Sequence, residues 1–175
     1  MRFSLCYFFI FLLFSQVNFA QNEPSAYAAD TESIASTMTA LYDVISGTKE
    51  EQRDWDRFKN LFLDNARLIG SSYKQDGSFG YRSMSPEEYI EGNAAFFETR
   101  DFFEIELHRE VDVYDNIVQV FSTYALKFEK DGEPAARGIN SIQLLHDGNR
   151  WWICSILWEQ ESKQKPIPKK NLGSN

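Results

Sequence analysis

FFEIELHREVDVYDNIVQVFSTYALKFEK, residues 102 to 130, alternates apolar and polar side chains on both sides of Asp115-Asn116. A period of two is the mark of a half-buried strand, and an Asp-Asn pair between two such runs marks a tight turn. With Asp115 and Asn116 as a two-residue turn, Tyr114 pairs with Ile117 and the ladder can be followed downwards. One face then carries Ile105, Leu107, Arg109, Val111 and Val113 against Leu126, Tyr124, Ser122, Val120 and Val118. The other carries Glu104, Glu106, His108, Glu110 and Asp112 against Lys127, Ala125, Thr123, Phe121 and Gln119. The clean sorting supports this register. It predicts an exposed Glu104–Lys127 pair and leaves Arg109 as the one charge on the apolar face.

Two more strands follow, AARGINSIQLLHD (135 to 147) and RWWICSILWEQE (150 to 161), with turn signals at Asp131-Gly132 and Asp147-Gly148. The last strand is apolar on both sides. Trp152, Cys154, Ile156 and Trp158 alternate with Trp151, Ile153, Ser155 and Leu157. Something must cover both faces of this hairpin.

Upstream of residue 101 the period is helical. Ile34, Met38, Leu41, Tyr42 and Ile45 share one helix face, with Asp30 or Thr31 as N-cap and Gly47 as stop. TKEEQRDWDRFKNLFLD (48 to 64) reads as a second helix, capped by Thr48 and striped by Trp55, Phe58, Leu61 and Phe62. ARLIGSSY (66 to 73) reads as a strand, and SYKQDGSFGYR (72 to 82) as a loop or loose hairpin. SPEEYIEGNAAFFE (85 to 98) opens with a capping box: Ser85 as cap, Pro86 at the first position, Glu88 three residues on. Helices followed by a long curved antiparallel sheet make an α+β fold.

The chain ends differ from this body. Arg2 precedes the apolar run LCYFFIFLLF and SQVNFA follows it, so residues 1 to 20 read as a signal peptide ending at Ala20. The run is short for a membrane span. Cys6 lies inside it and away from the cleavage point. Residues 21 to 29 read as a flexible leader, 30 to 161 as the domain, and 162 to 175 as an exposed basic tail. A periplasmic or secreted location follows, with no membrane contact after cleavage.

Of the 175 residues, 18 are Lys or Arg and 26 are Asp or Glu. Cleavage removes one base, Arg2, and no acid, which leaves 17 against 26, a net charge of about −9. That excludes nucleic acid and anionic membrane as natural partners. Cleavage also leaves Cys154 as the one cysteine, so an internal disulfide is impossible, and its apolar strand predicts a buried, inert thiol. Two histidines, no cysteine pair and no HExxH helix predict no metal site. No Gly-rich phosphate loop and no nucleophile elbow occur, so no cofactor is implied.

Element order and texture together resemble the nuclear transport factor 2-like superfamily, in particular its SnoaL-like members. The resemblance is carried by DWDRFKNLF (54 to 62), FSTYALKF (121 to 128) and HDGNRWWICSILWEQ (146 to 160), over roughly residues 30 to 161. It implies an NTF2-like cone, with three helices of the N-terminal half packed on a strongly curved, mainly antiparallel sheet. It also implies a conical pocket under the helices and, through the convex face, a homodimer covering the outer side of the last hairpin. Fold alone does not fix chemistry.

On that frame Arg109, Ser122 and Tyr124 form a candidate anion or carbonyl site, unless Arg109 pairs with Asp54 or Asp56 instead. Asn140, a mid-strand amide, and Trp55, on the second helix, complete the candidate ligand-binding set. His108 is the candidate general base, yet the register turns it to the acidic face. A bulge near Arg109 would exchange the two. The leading expectation is binding of a small apolar or amphipathic molecule. The alternatives are a metal-free isomerase, dehydratase or cyclase in the same pocket, and a structural or protein-binding dimer.

Overall fold

Helix α1, Ile34–Ile45, lays Met38, Leu41, Tyr42 and Ile45 into the core of the protein. The structure, a computed structural model, describes residues 26–73 and 76–173. The predicted signal peptide and the first part of the predicted leader, residues 1 to 25, lie outside the described residues. The rest of the leader is folded. Tyr27 donates to Asp54, and Ala28–Thr31 forms a 3-10 turn in which Thr31 is buried. Asp30 and Thr31 thus belong to this turn. The cap of α1 is Ser33, whose side chain exchanges hydrogen bonds with Ser36.

The second helix is shorter than its sequence suggests. Thr48 to Arg53 carry the signals of a first turn, yet α2 runs only over Trp55–Asn60 and is capped by Asp54. Arg53 accounts for the difference. Its buried guanidinium donates to the carbonyls of Ile45 (2.9 Å), Gly47 (2.7 Å), Thr48 (3.0 Å) and Glu51 (2.7 Å). Those carbonyls are thereby committed to a loop wrapped around one cation. Helix α3, Pro86–Thr99, has the predicted start: Ser85 accepts from the Glu88 amide, and the Glu88 carboxylate accepts from the Ser85 amide.

Six strands form one curved, unclosed sheet: β1 Phe62–Tyr73, β2 Phe79–Met84, β3 Phe103–Tyr114, β4 Ile117–Lys127, β5 Ala136–His146 and β6 Trp151–Gln160. Their order is β2-β1-β6-β5-β4-β3, antiparallel throughout except for the parallel pair β1–β6. The helices lie on the inner face, over a core of Phe58, Val120, Ile142, Leu144, Ile153 and Ile156 among others. This is the α+β cone that the element order predicts.

Two bulges correct the sequence register, and both matter. From Tyr114↔Ile117 to His108↔Thr123 the β3–β4 ladder runs as predicted. Leu107 is then skipped, and Glu106 pairs with Tyr124, Ile105 with Ala125 and Glu104 with Leu126. One extra residue exchanges the faces of everything beyond it. Glu104 and Glu106 therefore turn to the inner face, Ile105 turns out, and the exposed Glu104–Lys127 pair does not form. In β6 the extra residue is Cys154: Gln143 pairs with Ser155, but Leu144 pairs with Ile153.

That second bulge resolves the doubly apolar strand. Trp151 and Ile153 join Ile156 and Trp158 against the core. The outer face keeps Trp152, Ser155, Leu157 and Glu159. Trp152 is held by its own turn: its indole donates to Asp147 (2.7 Å) and the Arg150 guanidinium stacks 3.7 Å over its ring. Leu157, on the same outer face, stays exposed.

The C-terminal tail is not wholly exposed, contrary to its composition. Ile167 and Asn171 are buried, and the Thr123 hydroxyl on the outer face of β4 donates to the Asn171 carbonyl (2.5 Å). Two prolines and four lysines mark the tail as surface. The polar Thr123, turned outwards on the sheet, provides its anchor.

Candidate functional site

Between the helices and the inner face lies a cavity of about 450 Å³, a size suited to a drug-sized ligand. Leu41, Ile45, Leu68, Met84 and Ile156 make much of its wall. Two side chains are spread across glycines to shape it. The Tyr124 ring lies so close over Gly138 that a Cβ there would stand 2.3 Å from the phenol oxygen. Trp158 covers Gly70 in the same way, at 2.5 Å. Gly is used at both places because no larger residue leaves room for the ring.

Glu104 is the single carboxylate among the described residues that line this cavity. Burial pushes its carboxyl up from the ordinary 4.5 to about 7, against the Asn140 amide, whose hydrogen bond (3.4 Å) favours the ionised form. With its pKa raised towards neutrality by burial, Glu104 can hold or release a proton. Tyr89 and Tyr124 also line the cavity. Burial first, and then the nearby Glu104 charge, raises both phenols above their ordinary range, so both stay protonated as donors.

A polar chain runs from Glu104 through the core beside the cavity. Asn140 donates to the Tyr42 oxygen (3.1 Å), and Tyr42 and Ser122 share a 2.7 Å contact. Ser122 has one hydroxyl proton and gives it to Glu106, so the proton between Tyr42 and Ser122 comes from Tyr42. Arg109 closes the chain on Glu106 through an ion pair. Every member has a partner, as a buried network requires.

The sequence candidates divide accordingly. Tyr124 and Asn140 line the cavity. Ser122 is buried just behind it. Arg109 does not line it, because Glu106, brought inward by the Leu107 bulge, neutralises it at the edge strand. Asp54 and Asp56 are engaged elsewhere, by Tyr27 with the Arg57 amide and by Lys59. Trp55 packs behind the wall on Phe58 and Phe97, with ring centroids 5.9 and 5.5 Å away. His108 faces outwards beneath the tail, where a Cβ on Gly173 would lie 3.5 Å from its Nδ1. The bulge spares the His108–Arg109 pair and turns the glutamates instead. Cys154, half-buried on the outer strand kink, has its thiol pushed up by burial. No group of three His, Cys, Asp or Glu that could hold a metal ion occurs among the described residues. Nor is any helix among them long and apolar enough to cross a membrane.

No family model matches the chain, and no curated protein matches it. Solved structures do. A protein of unknown function with a cystatin-like fold from Nostoc punctiforme superposes with a TM-score of 0.54 at 13% identity, over 75% of this chain and 96% of that one. An NTF2-like protein from Cytophaga hutchinsonii superposes with a TM-score of 0.50 at 11% identity, over 71% and 89%. LinA superposes with a TM-score of 0.51 at 11% identity, over 73% and 86%. At such identities the likeness is one of fold.

Proposed function

With the NTF2-like fold as premise, we propose that this chain is an exported protein that binds a small, largely apolar molecule in its cone, with Glu104, Asn140 and Tyr124 as polar contacts. The observation that carries the reading is Glu104. A carboxyl lining a largely apolar cavity, with Asn140 as its one hydrogen-bond partner among the described residues, is costly unless something uses it, and a ligand hydroxyl or carbonyl would complete its hydrogen bonding. The test is native mass spectrometry of residues 21 to 175 purified from the native host, beside Glu104→Gln. The expected result is a co-purifying small molecule that the variant retains poorly. Equal, empty spectra from both proteins would sink the reading. The same spectra report self-association, which we propose runs through the outer-face residues Phe121 and Leu157, both exposed.

The presence of Glu104 and two protonated phenols in one cavity lining supports a second reading, metal-free acid–base chemistry of the isomerase, dehydratase or cyclase kind. A base titrating near 7 is well matched to neutral pH, and Tyr89 and Tyr124 could donate to an oxygen as it gains charge. Deuterium uptake at the α carbon of 2-tetralone in D2O, followed with the protein and with Glu104→Gln, decides it. Identical rates would remove catalysis from consideration.

A further inference from the structure

Among the described residues, two groups that can carry charge at neutral pH line the cavity, Glu104 and Arg82. They are not a pair. Arg82 is on β2 and Glu104 on β3, the two opposite edges of the six-stranded sheet. Arg82 makes no ion pair with any described residue, although neighbouring charges do. Arg67 meets Glu88, and Glu88 also caps α3. Nor is Arg82 simply extended into solvent. It pairs in register with Gly70, the glycine covered by Trp158. Its guanidinium lies alongside α3, with both terminal nitrogens 3.5 to 3.6 Å from where a Cβ of Gly92 would stand, an ordinary contact distance. The rest of the lining is largely apolar, with Leu68, Met84, Ile156 and the Trp158 ring, alongside the polar Ser71, Ser72, Asn93 and Gln160.

A largely apolar cavity with an exposed guanidinium that has no ion-pair partner among the described residues, and a more buried carboxyl, is complementary to one class of molecule. We propose that the cavity takes an organic monoanion, an amphiphile whose anionic head meets Arg82 while an uncharged polar group at its other end meets Glu104 and Asn140. A guanidinium offers a forked set of donors to a carboxylate or sulfonate head. A second anionic group at that other end is rejected, because it would face Glu104. The proposal rests on the binding function given above and adds the ligand's charge and direction of entry.

Two probes of like size separate the two ideas: 8-anilinonaphthalene-1-sulfonate, a monoanion, and N-phenyl-1-naphthylamine, its uncharged counterpart. Binding is followed by fluorescence with the native protein, Arg82→Gln and Arg82→Lys. Arg82 is exposed, so neither substitution disturbs the core. In Arg82→Gln the anion is expected to bind about tenfold more weakly while the neutral probe changes less than twofold. Arg82→Lys should recover most of the loss. If Arg82→Gln leaves the anion unchanged, or weakens both probes alike, the anionic pole is wrong while the cavity still binds. If the native protein binds neither probe, both the pole and the binding function fall.

Discussion

Asn140 on β5 reaches past β4 to Glu104 on β3, bringing its Nδ2 within 3.4 Å of the carboxylate Oε1. The same nitrogen donates to Tyr42. One amide therefore ties the inner acid of the cavity to the hydroxyl chain that ends at Arg109. Asn140→Leu keeps the bulk and removes the donor. The Glu104 carboxyl should then titrate above its present value of about 7, and the protein should lose about 1–3 kcal/mol through the lost bonds. Carboxyl carbon resonances followed against pH check the first effect and urea unfolding the second.

Glu104 should make the protein weaker as pH rises. Its pKa is raised on folding, so between about 4.5 and about 7 the folded chain holds a proton that the unfolded chain has released. Stability is then highest below the unfolded value and falls through this window, reaching its full loss above 7. Glu104→Gln removes the ionisation. The variant should match the native protein near pH 4 and exceed it at pH 8 by up to about 3 kcal/mol. Parallel stability curves across the range would refute the placement of this acid in the cavity wall.

The sequence conveys the cone well and its chemistry poorly, and two residues explain the difference. Periodicity, the Ser85 capping box and the Asp115-Asn116 turn are local signals, and the structure contains what they describe. A bulge leaves no such signal. Leu107 and Cys154 are ordinary strand residues, yet each shifts the alternation by one. Past Leu107, Glu104 looks like a solvated acid when it is the acid of the cavity, and Arg109 looks like its cation when Glu106 claims it. Tyr124 and Asn140 were legible because they lie on β4 and β5, whose mutual ladder is unbroken. Arg82 was hidden for another reason. SYKQDGSFGYR reads as a loop or loose hairpin without a register, and only the pairing of β2 with β1 turns Arg82 to the cavity.

Gly138 should tolerate no side chain. An added Cβ would stand 2.3 Å from the Tyr124 phenol oxygen and 2.5 Å from the Glu159 carbonyl, and the second is backbone that cannot swing away. Gly138→Ala is expected to cost about 1–3 kcal/mol by overpacking and to drive Tyr124 from its place on the wall. Thermal unfolding measures the cost. Tyrosine fluorescence quenching reports the ring.

Arg53 should be irreplaceable by an apolar residue of similar length. Arg53→Met leaves four carbonyls of the α1–α2 connection without their donor. A loss of about 3 kcal/mol or more is expected, in line with other buried charge-assisted networks. Arg53→Lys should recover only part of it, because an ammonium lacks the fork. A thermal midpoint unchanged in both variants would contradict the account of the short α2.

The parallel pairing of β1 with β6 fixes when a nascent chain can become a protein. The sheet's second strand, counted from the β2 edge, is completed by the last strand to be synthesised. Until Trp151–Gln160 has left the ribosome, the β1–β2 hairpin and the β3–β5 meander are separate pieces with no ladder between them, and the helices have half a floor. Order must therefore arrive late and all at once, from contacts far apart along the chain, and any product that stops short of residue 151 should be a substrate for proteases rather than a smaller version of this fold.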